Sequence, residues 1–133
     1  MVSAAGSIGP CSPFLIVSNI RWAVDHYVNC LGFACSALMP KDDPFFAIVA
    51  RGSAQIMLKA IGPDIAPLPN HQRHEWARWD AFIFAPDPDA LAEEFEGRAV
   101  PFHQPLANTD DGLRGFEIAD PDGYVCFFGR PRG

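Results

Sequence analysis

The sequence has no basic run, no long apolar run and no paired-cysteine motif, and each absence removes a class of function. Ten Lys and Arg against sixteen Asp and Glu leave a formal net charge of −6 and a pI near 5.0. No cationic stripe suited to tracking a nucleic-acid backbone is therefore present. No apolar stretch approaches the roughly 18 residues of a membrane-spanning helix. Met1 to Pro10 has neither a basic n-region nor an apolar h-region, so residues 1–11 read as a mobile small-residue tail and not as an export signal. The expected compartment is the cytoplasm. Cysteines occur only at 11, 30, 35 and 126, with no C-x-x-C pair, which argues against a zinc ribbon or a thioredoxin-type site. They are expected to be free thiols, mostly buried. Ser-His-Asp order, a glycine-rich phosphate loop and a paired-glutamate catalytic arrangement are also missing.

What is present is a chain of 133 residues, 49% hydrophobic and 20% charged, enough for one domain with a real core. An internal repeat organises it. At a shift of 68, Phe14-Leu15-Ile16-Val17 falls on Phe82-Ile83-Phe84-Ala85, Asn19 on Asp87, Val24 on Ala92 and Tyr27 on Phe95. Each segment is a short apolar run, a polar cap and a helical pattern. Asn19 caps a face of Ile20, Ala23, Val24, Tyr27 and Leu31 that Gly32 ends. Asp87 caps a face of Leu91, Ala92 and Phe95, with Pro88 in the first turn and Gly97 at the end.

The later strands align at a shift of 70, with Phe46, Ile48 and Val49 on Phe116, Ile118 and Ala119, and Ile56-Met57-Leu58 on Cys126-Phe127-Phe128. The turns Arg51-Gly52-Ser53 and Pro121-Asp122-Gly123 lie between them. The reading is an α+β fold of two β-α-β-β-β modules, at 12–60 and 79–131, in a single domain over 12–133. A proline-rich linker, 61–78, joins them.

Paired modules of this kind, with "DPDGY" in the second, resemble the vicinal oxygen chelate superfamily of glyoxalase I and bleomycin-resistance proteins. The resemblance runs from about Ser12 to Pro131 and is carried by "HYVNCLGF", "DAFIFAPDPDALAEEF" and "GFEIADPDGYVCFFG". It implies two half-barrels around a cup and a homodimer. In enzymatic members it also implies a divalent metal held by the first and last strands of each module.

Carried over from the helix tyrosine, the first-strand ligand position is Ser12, and the repeat places its counterpart at Asp80. The last-strand positions are Met57 and Phe127. Of these only Asp80 is an ordinary ligand for a hard or borderline cation, so the expectation is no metal and no other cofactor. Strand alternation from these positions directs Ser12, Phe14 and Ile16, Gln55, Met57 and Lys59, Asp80, Phe82 and Phe84, and Val125 and Phe127 toward one face. That wall is aromatic and soft, suited to a planar organic ligand, though the same side chains would also serve as plain core.

Several single residues stay open between a site and a bland role. Asp80, if buried, would be a base or hydrogen-bond partner; at an exposed strand end it would be solvated or paired with Arg78 or Arg114. Trp76 suits the pocket rim and Trp79 the core. Arg114 suits an anionic ligand group, or a surface pair with Asp110 or Asp111. His71 and His74 read as polar loop, and His26 and His103 as surface residues without partners.

The candidate ligand-binding set is Ser12, Phe14, Gln55, Met57, Trp76, Asp80, Phe82, Arg114 and Phe127. The functional reading is a metal-independent binder of an aromatic antibiotic or metabolite, with no nucleic-acid or membrane partner. The alternative is a metal-dependent lyase, isomerase or dioxygenase of the glyoxalase type, and whether any reaction is catalysed stays open.

Overall fold

In the computed structural model, residues 5–133 are described; the first four residues of the expected tail lie outside them. The first module runs β1 (Phe14–Ile16), α1 (Ile20–Asp25), β2 (Ala34–Met39), β3 (Phe46–Arg51) and β4 (Ala54–Lys59). The second runs β5 (Ala81–Phe84), α2 (Pro88–Gly97), β6 (Gln104–Asn108), β7 (Leu113–Ala119) and β8 (Val125–Pro131). Each forms a four-stranded sheet, ordered β1-β4-β3-β2 and β5-β8-β7-β6. The expected α+β architecture of two β-α-β-β-β units is the one observed. Among the described residues no helix is long and apolar enough to cross a membrane.

Local chemistry explains the helices. Asn19 Oδ1 accepts from the Trp22 amide at 3.1 Å, and Asp87 Oδ1 from the Ala90 amide at 3.1 Å, each satisfying an amide that the first turn leaves free. α1 continues as a π turn over His26–Cys30, then stops at Gly32, whose φ of +74° favours glycine. Ile20, Ala23, Tyr27 and Leu31 are buried on one side of this helix, and Ala92 and Phe95 on one side of α2. These stripes pack on one face of each sheet. The opposite, concave faces are partly open, with Phe14, Phe82 and Phe84 all exposed.

Strand register corrects one detail of the repeat. Ile48 faces Met57 and Glu117 faces Phe127, so β3 matches β7 at a shift of 69, whereas β4 matches β8 at 70. Between equivalent paired positions, the connection from β7 to β8 carries one residue more than that from β3 to β4. A one-residue slip exchanges the two faces of a strand, and the slip had hidden Glu117 from the concave face.

The modules grip each other reciprocally. The Tyr27 hydroxyl on the first helical segment donates to Asp120 Oδ2, just after β7, at 2.9 Å. Arg51, at the end of β3, donates to both Glu94 oxygens on α2 at 2.9 and 2.8 Å, and to the Leu31 carbonyl at 2.8 Å. Ser18 Oγ donates to Asp122 Oδ1 at 2.6 Å, and the Tyr124 hydroxyl donates to the Ile16 carbonyl at 2.6 Å. Burial pushes the Asp120 carboxyl up to about 6, against the pull of the Tyr27 hydroxyl and the Tyr124 and Asp122 amides. The "DPDGY" segment is thus the seam of the molecule.

Two expectations about reactive side chains change. All four cysteines are free, but only Cys126 is buried, while Cys11 and Cys35 are exposed. Cys11 precedes β1 and Cys35 sits on edge strand β2, where few side chains face a packed layer. His26 is partly buried, not fully exposed. Its Nε2 is buried without a hydrogen-bond partner, and desolvation lowers its pKa to about 4.

Candidate functional site

The concave face of the second sheet carries a layered aromatic surface. Gly115 and Gly129 face each other across β7 and β8, and the Phe127 ring lies against both. A Cβ at Gly115 would come within 2.6 Å of that ring, and one at Gly129 equally within 2.6 Å. Phe127 is therefore 1% exposed. Phe82 stacks beside it with centroids 5.5 Å apart and 19° between planes. From the end of the linker, Trp79 stacks over Phe127 at 4.7 Å, in the offset range that aromatic quadrupoles favour. Phe82 remains 43% exposed.

A polar group closes the far side of this surface. Glu117, 3% exposed, accepts from Trp79 Nε1 at 3.2 Å and contacts His103 Nδ1 at 3.0 Å. His103, expected to lack a partner, thus has a buried carboxylate. The His71 ring lies 5.4 Å from that of His103, and its Nε2 meets the Gly123 carbonyl at 2.8 Å. His74 turns instead toward Trp76. The alternation Gly115, Glu117 in "GFEI" is the signal that would have found this group, once the register was right.

The sequence-derived candidates divide among several places. Phe82 and Phe127 share the aromatic surface. Phe14 and Met57 are the equivalent pair on the first sheet, and Gln55 Nε2 donates to Ser12 Oγ at 3.2 Å ahead of β1. Asp80 is neither a free base nor an arginine partner. Its two oxygens accept the amides of Asn70 at 2.9 Å and Val125 at 2.8 Å, which staples the linker to β8. Arg114 neighbours Gly115 and so points to the opposite, helix-covered face, where Asp89 of α2 holds it at 2.8 and 2.7 Å. That replaces the expected pair with Asp110 or Asp111; Arg78 meets Asp111 instead. Trp76 is 85% exposed on the linker surface.

Two clefts open along the seam between modules. One, of about 780 Å³, runs from Gln55 and Ile56 of β4 to Phe82, Ile83 and Phe84 of β5 and Leu91 of α2. The other, of about 350 Å³, lies between Phe14, Ile16, Leu68 and Asp80. Phe82 therefore borders both the aromatic stack and the larger cleft, whose volume is that of a small-molecule pocket.

Residues 7–126 match the model of the Glyoxalase/Bleomycin resistance protein/Dioxygenase superfamily. The chain belongs to that superfamily. Its fold superposes on the bleomycin-binding protein of bleomycin-producing Streptomyces verticillus, solved with copper(II)-bleomycin, with TM-score 0.66 and 27% identity over 96% of this chain and 97% of that one. TnmS3, an antibiotic-binding protein from Streptomyces sp. CB03234, gives TM-score 0.69 and 23% identity over 97% and 99% of the two chains. TioX from Micromonospora sp. ML1 gives TM-score 0.69 and 20% identity over 95% and 99%. A search of curated proteins finds no match.

The metal-ligand positions that the superfamily resemblance implies can be tested against the side chains in place. At Phe127 a phenyl ring offers no donor, and at Met57 there is a thioether. Ser12 supplies a neutral hydroxyl, and both Asp80 oxygens are already engaged by backbone amides. This set does not fit a divalent cation, which requires several oxygen or imidazole donors. Among the described residues no cluster of three or more His, Cys, Asp or Glu has a metal-binding arrangement.

Proposed function

We propose that this chain is a metal-independent binding protein that holds a planar, aromatic small molecule, an antibiotic or a metabolite, against the second sheet and the adjoining cleft. The observation that carries this reading is the aromatic surface on a glycine bed. Phe127 and Trp79 are held rigid, while Phe82 is left 43% exposed at the edge of a cleft of about 780 Å³. Rigid rings lose little entropy on binding a flat ligand. The bleomycin-binding relative, which is 27% identical, supports the choice of ligand class. The mismatch at the four metal positions supports metal independence.

The working form in this reading is a cytoplasmic homodimer. Phe14 at 55%, Phe84 at 63%, Met39 at 51% and Phe45 at 46% exposure supply the apolar surface that a second copy would cover. Four free thiols suit a reducing compartment. The test is a thermal-shift and calorimetric screen of aromatic antibiotics, bleomycin included, on the wild type and Phe82→Ala. A ligand that binds at micromolar concentration and weakens about tenfold or more in the variant supports the reading. Absence of binding across the screen, or stoichiometric Ni, Zn, Fe or Mn in protein purified without chelator, overturns it. Light scattering that finds a monomer at micromolar concentration removes the dimer.

A further inference from the structure

We infer that His103, oriented by the buried carboxylate of Glu117, selects aromatic ligands that carry a hydroxyl donor, such as a phenol. The inference rests on the aromatic-binding reading above and adds the polar half of the site to it. Glu117 lies directly opposite Phe127 across β7 and β8, so its carboxylate rises from the same face as the aromatic stack. That carboxylate is 3% exposed. An ionised carboxylate only accepts hydrogen bonds, so the Nδ1 contact at 3.0 Å places the proton of a neutral His103 on Nδ1. Nε2 is then left as an acceptor. Among the described residues it makes no hydrogen bond, and the side chain is 36% exposed.

The same carboxylate fixes the aromatic wall relative to the imidazole. One oxygen receives Trp79 Nε1 at 3.2 Å and the other meets His103 at 3.0 Å. The indole edge and the imidazole therefore stand on either side of a single carboxyl group. Arg78, whose guanidinium also pairs with Asp111 at 3.4 Å, lies over the Trp79 ring with its Cζ 5.7 Å from the centroid. A flat ligand lodged against the exposed Phe82 ring meets the Nε2 acceptor beyond the indole edge. An aromatic hydroxyl donates to it, whereas a ligand with only acceptors at its edge leaves Nε2 unmatched. Glu117 acts through His103 and is a positioning residue; His103 is the selecting one.

The experiment compares 2-naphthol with 2-methoxynaphthalene, which share a ring system and differ in the donor, by fluorescence titration of the full chain. The wild type is expected to bind 2-naphthol about tenfold more tightly, the worth of one well-placed hydrogen bond. His103→Asn keeps a donor for Glu117 and removes Nε2, so it is expected to erase the preference between the two probes. Glu117→Gln frees the imidazole to change tautomer and is expected to reduce the preference, an effect that mere structural loss would not confine to one ligand. Equal wild-type affinity for the two probes, or a preference that survives His103→Asn, overturns the inference and leaves the aromatic site standing. If the wild type binds neither probe, the inference is overturned, and the antibiotic screen above decides the aromatic-binding reading separately.

Discussion

The two modules place equivalent positions on their concave faces and fill them differently. Phe14, Met57, Ile48, Phe46 and Lys59 in the first correspond to Phe82, Phe127, Glu117, Gly115 and Gly129 in the second. On the helix-covered faces both modules do the same thing, burying apolar stripes against a sheet. On the concave faces, bulky Phe46 and Lys59 stand where the second module has glycines. Phe14 consequently meets Phe46 only at 6.3 Å, tilted by 34°, and stays 55% exposed. Glycines in the second module let Phe127 lie flat on backbone, with Trp79 over it. Folding requirements are common to both halves, and the specialised surface has been built in one.

That contrast can be broken most strongly at its centre. Phe127→Ala is expected to cost about 3–5 kcal/mol in urea unfolding, the usual range for emptying a fully buried aromatic site, while Met57→Ala, half-buried, should cost about 1 kcal/mol. Similar losses for the two would remove the asymmetry. Gly115→Ala follows, at about 2–4 kcal/mol. Its Cβ would stand 2.6 Å from Phe127 Cζ and even nearer the Phe128 carbonyl oxygen, so a neutral substitution would show that the ring does not rest on the strand.

The seam provides a pH test. Asp120 has a folded pKa raised from 3.8 to about 6. The folded state therefore holds a proton that the unfolded chain has released between those values. This group's contribution favours folding at low pH and is lost as pH rises from about 4 to about 6, by roughly 1–3 kcal/mol. Asp120→Asn should flatten that part of the stability profile; an unchanged slope would mean that the carboxyl is not buried. The opposite grip is weaker. Arg51→Ala removes a bidentate contact in which both side chains are 35% exposed, and about 1 kcal/mol, diminishing with added salt, is the expected loss in the same unfolding assay.

How much of this was legible beforehand varied with the range of the interaction. Helix caps at Asn19 and Asp87, the stripes below them and the paired modules follow from neighbours a few residues apart, and these stood in the structure as expected. The concave candidates were harder. Phe127 came from the last-strand position that the superfamily resemblance implies and Phe82 from alternation beside Asp80, but one extra residue between β7 and β8 shifted β7 and concealed Glu117. Asp80 and Arg114 bind Val125 and Asp89, which lie 45 and 25 residues away in the chain. Spacing cannot reveal whether such a group meets a backbone amide, a helix carboxylate or solvent. His103 was misjudged for the same reason.

The sequence by itself determined the two-module plan, because period-two and period-3.6 patterning and capping act within a dozen residues. Only the tertiary structure decided which concave face became an aromatic surface and which polar group stands beside it. Those depend on strand register and on side chains brought together from the linker, β5, β6, β7 and β8. Burial of Glu117 between Trp79 and His103 is a property of that assembly, and no segment of the chain contains it alone.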